Sequence, residues 1–321
     1  MIMRRKENIL LAILLIFVVG ICIYQGVTQE QPVANGDPDL EVLTLADTFQ
    51  NTEQAPEIYY ASNADELSSG NPWVEPDETE EAEEEIRFPV FRKKPQMEVY
   101  PDETQLENEG MLQGERIPEN IMREFCADIS DESGRQALVA YLQVKYASFM
   151  QEDYDRAAFY SLGYDPGSGC SFYKIVFYHG REEEQENLLE FCLNKTVVVF
   201  NELGEIDSIY RNSLTELEEI GEYPVIREEQ ARQLLDEGRY FTNVPGDCPG
   251  EEAVVGGEIV YRNDGSDILI PYYRFLLKLP EEAETAEKCA YGAFYVPAVK
   301  GEYLNNISIW HEVEESNASQ E

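Results

Sequence analysis

The clearest alternation of apolar and polar residues lies in three consecutive segments between Val254 and Val299. In the middle segment the apolar residues share one face: Leu269, Tyr273, Phe275, Leu277 and Leu279. Tyr272, Arg274 and Lys278 share the other face. A period of two is typical of an antiparallel strand with one buried face, so we expect Arg274 to be solvated.

A helix is predicted directly before these strands. Between residues 227 and 237, Ala231, Leu234 and Leu235 form an apolar stripe at helical spacing, and Gly238 supplies a stop signal. One helix followed by three strands predicts an α-β-β-β unit whose helix covers one face of an antiparallel sheet.

The region upstream repeats this order of elements. Ser133 and Gln136 resemble a helix capping box, and an amphipathic pattern follows over residues 134–150. Strand-like segments come next, at residues 157–164, 171–179, 189–200 and 205–210. The expected fold class is therefore α+β, with tandem α-β-β-β units and antiparallel sheets.

The N-terminus predicts a membrane anchor. A run without charged residues extends from Ile9 to Val27, directly after a basic stretch at residues 4–6. At about 1.5 Å per residue it is long enough to cross a hydrocarbon core of about 30 Å, and the basic flank favours a cytoplasmic N-terminus. A cleaved signal peptide or a lipoprotein is the alternative, although Ile21 before Cys22 does not suit lipidation. We expect a single-pass cell-membrane protein with extracellular C-terminal domains.

The stretch after this run is strongly acidic. Residues 28–115 contain 23 acidic and four basic residues, and prolines recur throughout. Such a composition repels itself and is typical of a disordered linker. Two alternatives stay open: the basic residues at 87 and 92–94 could dock back on the acidic domains, and Trp73 could be a short binding motif. The predicted organisation is a cytoplasmic stub and anchor (1–27), a disordered acidic linker (28–114), two α-β-β-β units (115–223 and 224–311) and a disordered tail (312–321).

Net charge and motif content exclude several functions. The 321-residue chain carries a formal charge of −40, which argues against nucleic acid or anionic lipid as a ligand. No phosphate-binding, metalloprotease or nucleophile-elbow motif occurs. His179 and His311 have no neighbouring nucleophile with an orienting carboxylate, so both are interpreted as structural. We expect no catalytic residues, no cofactor and no metal site.

The cysteines indicate possible cross-links. The chain has six cysteines and no C-x-x-C motif, which disfavours a zinc site or a thioredoxin-like centre. Outside the cell such thiols can pair. The expected disulfides are Cys248–Cys289 and Cys170–Cys192, which leaves Cys126 over; buried free thiols are the alternative.

Several short segments carry a family resemblance: Leu162-Gly163-Tyr164, FNELGEIDSIY at 200–210, YPVIREEQARQLL at 223–235 and IPYYRF at 270–275. From Ser130 to Trp310 the chain resembles the YycH/YycI group of Gram-positive membrane-anchored regulators and, more distantly, PepSY-type domains. The chain departs from that pattern at Arg227, where a Ser or Thr cap is expected, in its longer linker and in its cysteines.

The resemblance implies an extracytoplasmic regulator whose partner lies in the same membrane, such as a sensor kinase or, for PepSY-like proteins, a restrained protease. A ligand- or wall-binding module and an unrecognised hydrolase are the alternative hypotheses. A pocket of convergent polar groups would favour these alternatives, whereas an exposed strand edge would favour a protein partner.

Overall fold

The computed structural model describes residues 40–45, 57–67, 71–73, 85–94, 104–105, 115–127, 131–150, 153–214, 217–262, 267–280 and 288–305. The protein is α+β with mostly antiparallel sheets, which confirms the predicted class. The strands are β1 (Leu43–Thr44), β2 (Ile58–Ala61), β3 (Arg87–Lys93), β4 (Thr104–Gln105), β5 (Arg156–Asp165), β6 (Cys170–Tyr178), β7 (Lys195–Asn201), β8 (Ile206–Arg211), β9 (Leu217–Pro224), β10 (Val254–Tyr261), β11 (Ile268–Leu269), β12 (Pro271–Lys278), β13 (Cys289–Pro297) and β14 (Leu304–Asn305). The α-helices are α1 (Glu119–Ala127), α2 (Glu132–Lys145), α3 (Ala147–Met150), α4 (Glu184–Leu193) and α5 (Glu228–Asp236).

The first half of the chain forms a five-stranded antiparallel sheet in the order β4-β8-β7-β6-β5. Alternate apolar residues on one face, including Ile175 and Phe200, pack against α1, α2 and α3. Helix α2 contributes Leu138 and Leu142, both fully buried, because their spacing of four places them on one side of the helix. The other face of the sheet turns toward a second core.

The predicted strand at 189–200 is wrong in its first half, where the chain forms α4 before β7 begins. Leu188, Phe191 and Cys192 are all buried, and their spacing of three and four residues is helical. The first unit therefore has a helix, α4, between its strands β6 and β7. The predicted capping box is also replaced, because Asp131 is the N-cap residue of α2 and its carboxylate accepts the Gly134 N–H at 3.1 Å.

Three strands of the second half and β2 form a four-stranded antiparallel sheet in the order β10-β12-β13-β2. Helix α5 is followed by β10, β11, β12 and β13, and β11, the start of the predicted middle strand, pairs with β3 of another sheet. Phe275 and Phe294 point into a core that also contains Tyr160 and Val176 of the five-stranded sheet, so the two sheets share one apolar layer.

The second face of the four-stranded sheet is buried as well, so the expectation of a solvated face is wrong. Tyr272 is 1% exposed, and the side chain of Arg274 is 16% exposed. The cover comes from a second apolar cluster that includes Leu43 of β1, Leu304 of β14 and Phe241. Strands β1 and β14 pair in parallel across this layer.

Parts of the predicted linker are folded, which corrects the expectation of disorder for the described residues among 28–114. Strand β2 pairs with β13, and β3 pairs with both β9 and β11. Phe88 of β3 is completely buried, and Trp73 packs edge-on against it at 5.0 Å. In β3, Arg92 lies opposite Glu218 of the acidic strand β9. This segment therefore follows the alternative in which the basic residues at 87 and 92–94 dock on the acidic domains.

The predicted anchor from Ile9 to Val27 and the predicted tail at 312–321 lie outside the described residues. Within the described part of the chain, no helix combines the length and the apolar character needed to cross a membrane.

Candidate functional site: an open strand edge beside a cleft

Strand β10 forms one edge of the four-stranded sheet, and among the described residues it pairs only with β12. In an antiparallel strand the N–H and C=O of alternate residues face the same edge. The Ile259 carbonyl accepts a hydrogen bond from the Asn71 side chain at 2.6 Å, so Ile259 faces outward. Gly257 therefore faces outward too, and it is exposed.

The outer edge of β10 is closed at one end and open at the other. Asn71 covers the carbonyl of Ile259, and the backbone N–H of Tyr261 donates to the Cys192 sulfur. No described residue hydrogen-bonds the outward peptide groups of Gly257. Its neighbour Val255 is 42% exposed and lies next to a β-bulge between Val254 and Gly256. The open half is thus residues 255–257.

A cleft with a volume of about 370 Å³ lies beside this open half, between β10 and the 3₁₀ turn Ala64–Leu67. Gly256, Glu258, Arg274 and Leu276 line the sheet side of the cleft. A Cβ atom built on Gly256 would meet nothing within 4 Å. The missing side chain of Gly256 therefore contributes directly to the space in the cleft.

Gly257 has the opposite environment. A Cβ atom there would lie 3.0 Å from the Phe275 ring and 3.3 Å from a carboxylate oxygen of Glu228. Its side-chain direction points into the shared core, while its peptide groups point to the open edge. The two adjacent glycines therefore serve different packing needs.

Four charged residues form two ion pairs, which we call the charge row: Glu57, Glu258, Arg262 and Arg274. Glu258 and Arg274 line the cleft. The Nε atom of Arg274 lies 3.0 Å from Oε1 of Glu258, and Nη1 of Arg262 lies 2.7 Å from Oε1 of Glu57. The Tyr295 hydroxyl donates to the other oxygen of Glu57. Two acids and two bases cancel, so the charge row is neutral as a group.

Burial and neighbouring charges shift the pKa values of Arg274 and Tyr295. Burial acts to lower the pKa of Arg274, but the nearby carboxylates of Glu258 and Glu57 hold this pKa above its ordinary value. Burial raises the pKa of Tyr295 well above 10, and the charge of Glu57 raises it further. Arg274 therefore stays charged and the Tyr295 hydroxyl stays protonated near neutral pH.

The rim of the cleft is acidic. Asp65 lines the cleft and is exposed, and no described residue forms an ion pair with it. Its neighbour Glu66 is paired with Lys288 at 3.7 Å. Glu251 and Glu252, both exposed, lie in the 3₁₀ turn just before β10. The cleft and its surroundings therefore carry net negative charge.

The structure joins neither of the two predicted cysteine pairs, since all five described cysteines are free thiols. Cys170 begins β6, whereas Cys192 lies near the other end of that strand, where Tyr178 pairs with Lys195. Nine strand residues span about 27 Å, far beyond disulfide reach. Cys248 packs against the core shared by the two sheets, and Cys289 against the apolar cluster on the opposite face of the four-stranded sheet.

The remaining predicted positions lie away from the cleft. The Nδ1 atom of His179 is 3.8 Å from Oδ1 of Asp155, and its ring lies 5.2 Å from that of Tyr154. His311 is outside the described residues. The described residues contain no cluster of histidine, cysteine or acidic side chains suited to a metal ion.

Sequence reasoning missed the strand edge and the cleft. The available signal was the Gly256-Gly257 pair inside a predicted strand, because glycine within a strand often marks a bulge or a close approach of another backbone. The partners of the charge row gave no signal, since Glu57 falls in a stretch with the composition of a linker.

Comparisons with known proteins identify no family. No protein-family model and no curated protein matches the chain. Among solved structures, an uncharacterized protein from Eubacterium rectale is similar at 12% identity with a TM-score of 0.24. The match covers 51% of this chain and 53% of that one, about half the length of each.

Proposed function

We propose that this protein is a membrane-anchored, extracytoplasmic interaction protein that binds an extended segment of a partner by strand addition to the open half of β10. The observation that carries the proposal is the outward peptide group of Gly257, which no described residue pairs, beside a cleft that can hold a side chain. An added strand would satisfy these groups as in other strand-addition complexes.

The local sequence supports binding at this edge. Exposed strand edges are usually protected by lysine, proline or a covering segment, because they pair readily with other chains. Residues 254–258 of β10 contain neither lysine nor proline, and the protection by Asn71 begins only at Ile259. The volume of about 370 Å³ suits a single side chain or a small ligand.

The sequence expectations extend the proposal to a partner in the membrane. An anchor from Ile9 to Val27 would hold the folded domains near the extracellular surface and raise the local concentration of a membrane partner. The YycH/YycI resemblance suggests a sensor kinase as that partner, and the PepSY-like resemblance suggests a protease. Tandem units related to the predicted α-β-β-β order would present the strand edge on a rigid body.

A ligand- or wall-binding module is the second candidate, and the cleft itself favours it. Its volume falls at the lower end of the range for small-molecule pockets, and polar side chains line it. A small ligand would occupy the cleft without engaging the peptide groups of Gly257, so the two candidates differ at the strand edge.

Site-specific photo-crosslinking of the full chain in its membrane tests the proposal. A photo-reactive residue replacing Val255 should form a discrete adduct with a second protein, whereas one replacing Val144, 82% exposed on α2, should not. Gly256→Trp, combined with the same reactive residue, should remove the adduct by filling the cleft. Equal adducts from both positions, or no adduct from Val255, would overturn the strand-addition function.

The contribution of the anchor is tested in the same membranes. Replacing residues 9–27 with an unrelated apolar helix should reduce the yield of the Val255 adduct if the partner also contacts the anchor. An unchanged yield would confine recognition to the folded domains.

A further inference from the structure

We infer that the cleft beside β10 receives a lysine or arginine side chain of the bound segment, so that the partner presents an extended strand with a basic residue. This inference rests on the proposed strand addition. It follows from the charges around the cleft and from the direction in which an added strand would project its side chains.

The charges favour a cation. The charge row cancels internally, because Arg274 is paired with Glu258 and Arg262 with Glu57. Asp65 then remains as an acid with no described ion-pair partner at the rim of the cleft. A cationic side chain would form the missing pair, whereas an anionic one would face Asp65 and displace Glu258 from Arg274.

The geometry places one side chain of an added strand in the cleft. Neighbouring strands align side chains on the same face, and Gly256, Glu258, Arg274 and Leu276 all line the cleft on one face of the sheet. A residue added opposite Gly256 would project its side chain into the space that Gly256 leaves empty.

The cleft also fits a long, flexible stem. Leu276 and Leu67 line it with apolar surface, and Asp65 lies among its lining residues. Lysine and arginine can lay their methylene groups along apolar surface while the charged end reaches a carboxylate. The acidic residues Glu251 and Glu252 would add a general attraction for a basic segment as it approaches.

Two synthetic peptides test the inference with the full chain in detergent. Both are seven residues long, alternate valine and threonine, and carry a fluorescent label; the central residue is lysine in one and glutamate in the other. Fluorescence anisotropy should show that the lysine peptide binds at least about tenfold more tightly than the glutamate peptide. Gly256→Trp should abolish binding of the lysine peptide.

Single substitutions test whether Asp65 causes the preference for the lysine peptide. Asp65→Asn should weaken binding of the lysine peptide about threefold to fivefold, as expected for one exposed ion pair, and should leave the glutamate peptide unchanged or slightly improved. Asp207→Asn, which removes an exposed acid on β8, is the matched control and should change neither affinity. Raising the salt concentration should reduce the preference for lysine.

The outcomes separate this inference from the proposed function. Equal affinities for both peptides that are lost together in Gly256→Trp would keep strand addition and overturn the basic occupant. Tighter binding of the glutamate peptide, or an Asp65→Asn effect no larger than that of Asp207→Asn, would overturn it as well. Failure of both peptides to bind would also overturn it, and the crosslink from Val255 would then decide the proposed function separately.

Discussion

The two edges of the four-stranded sheet differ in how closely other parts of the protein approach them. At the β2 edge, β5 of the neighbouring sheet approaches so closely that a Cβ atom on Gly163 would lie 2.4 Å from the Tyr60 carbonyl oxygen. At the β10 edge, a Cβ atom on Gly256 would meet nothing within 4 Å. One glycine allows an edge to be closed, and the other keeps a cleft open.

This difference shows that a glycine in a strand is not informative by itself. Gly163 has a φ of 79° at a bulge in β5, where an L-residue would be strained and would also clash with backbone. Gly256 does not have a left-handed φ and has free space around it. Stability should therefore depend on Gly163, and binding should depend on Gly256.

The largest expected effect is at the closed edge. Gly163→Val should lower the free energy of unfolding by about 4 kcal/mol, because it adds the strain of a positive φ to a clash with the Tyr60 carbonyl. Gly256→Val should change it by less than about 0.5 kcal/mol, as surface substitutions do. Urea unfolding of both variants measures the difference, and similar losses would contradict the contrast between the two edges.

The next effect concerns Arg274, whose guanidinium contacts residues of both edge strands. The Arg274 guanidinium lies 6.0 Å from the ring of Tyr59 on β2 and pairs with Glu258 on β10. Arg274→Met should cost about 3 kcal/mol, because Glu258, whose side chain is only 8% exposed, loses its ion pair with Arg274. Adding Glu258→Leu to this variant should recover most of the loss.

A more exposed ion pair provides the control for Arg274. Arg232 and Glu228 form an i,i+4 pair on α5 with side chains 28% and 35% exposed. Arg232→Met should cost no more than about 1 kcal/mol in the same unfolding assay. Equal costs for Arg232→Met and Arg274→Met would show that solvent screens the charge row.

A pH-dependent effect is expected beside the closed edge. The Lys174 ammonium of β6 lies 4.2 Å from the ring of Tyr160 on β5, and no described carboxylate forms an ion pair with it. Burial, reinforced by the positive charge of Arg274, lowers the pKa of Lys174 to about 7 from 10.5. The folded protein thus releases this proton near pH 7, while the unfolded chain keeps it up to about pH 10.5.

Stability should accordingly rise with pH between about 7 and 10.5, by at most about 1.4 kcal/mol per pH unit. Lys174→Met should remove this slope and should be more stable than the wild type at and below pH 7. Lys278→Met, on the exposed end of β12, should keep the slope. Measurements over pH 7–8 stay below the ordinary pKa of cysteine thiols and tyrosines, and equal slopes in the wild type and Lys174→Met would contradict the prediction.

The sequence predicted elements whose signals are local. The alternation in β12, the apolar stripe of α5 and the hairpin of β5 and β6 were each readable because neighbouring residues carry the pattern. Helix α4 was missed because a short apolar run is compatible with the period of a strand and with that of a helix. Only the structure shows that Leu188, Phe191 and Cys192 are buried together, as their helical spacing requires.

The cover of the second sheet face could not be predicted for a different reason. Strands β1, β2 and β3 are short segments within an acidic region, so average composition hides them. Their pairing partners β14, β13 and β9 lie far away in the sequence. The burial of Arg274 and the cleft beside β10 both depend on these long-range contacts, and a single sequence does not reveal them.

Amide hydrogen exchange of β10 in the full chain, measured residue by residue by NMR in detergent, tests the open edge most directly. The N–H of Val260 faces β12 and should be strongly protected, whereas the N–H of Gly257 faces outward and should exchange close to the unprotected rate. Adding a strand-forming peptide that binds should slow exchange at Gly257 and leave Val260 unchanged. Protection of Gly257 equal to that of Val260 in the free protein would show that another segment already covers this edge, and it would contradict the account.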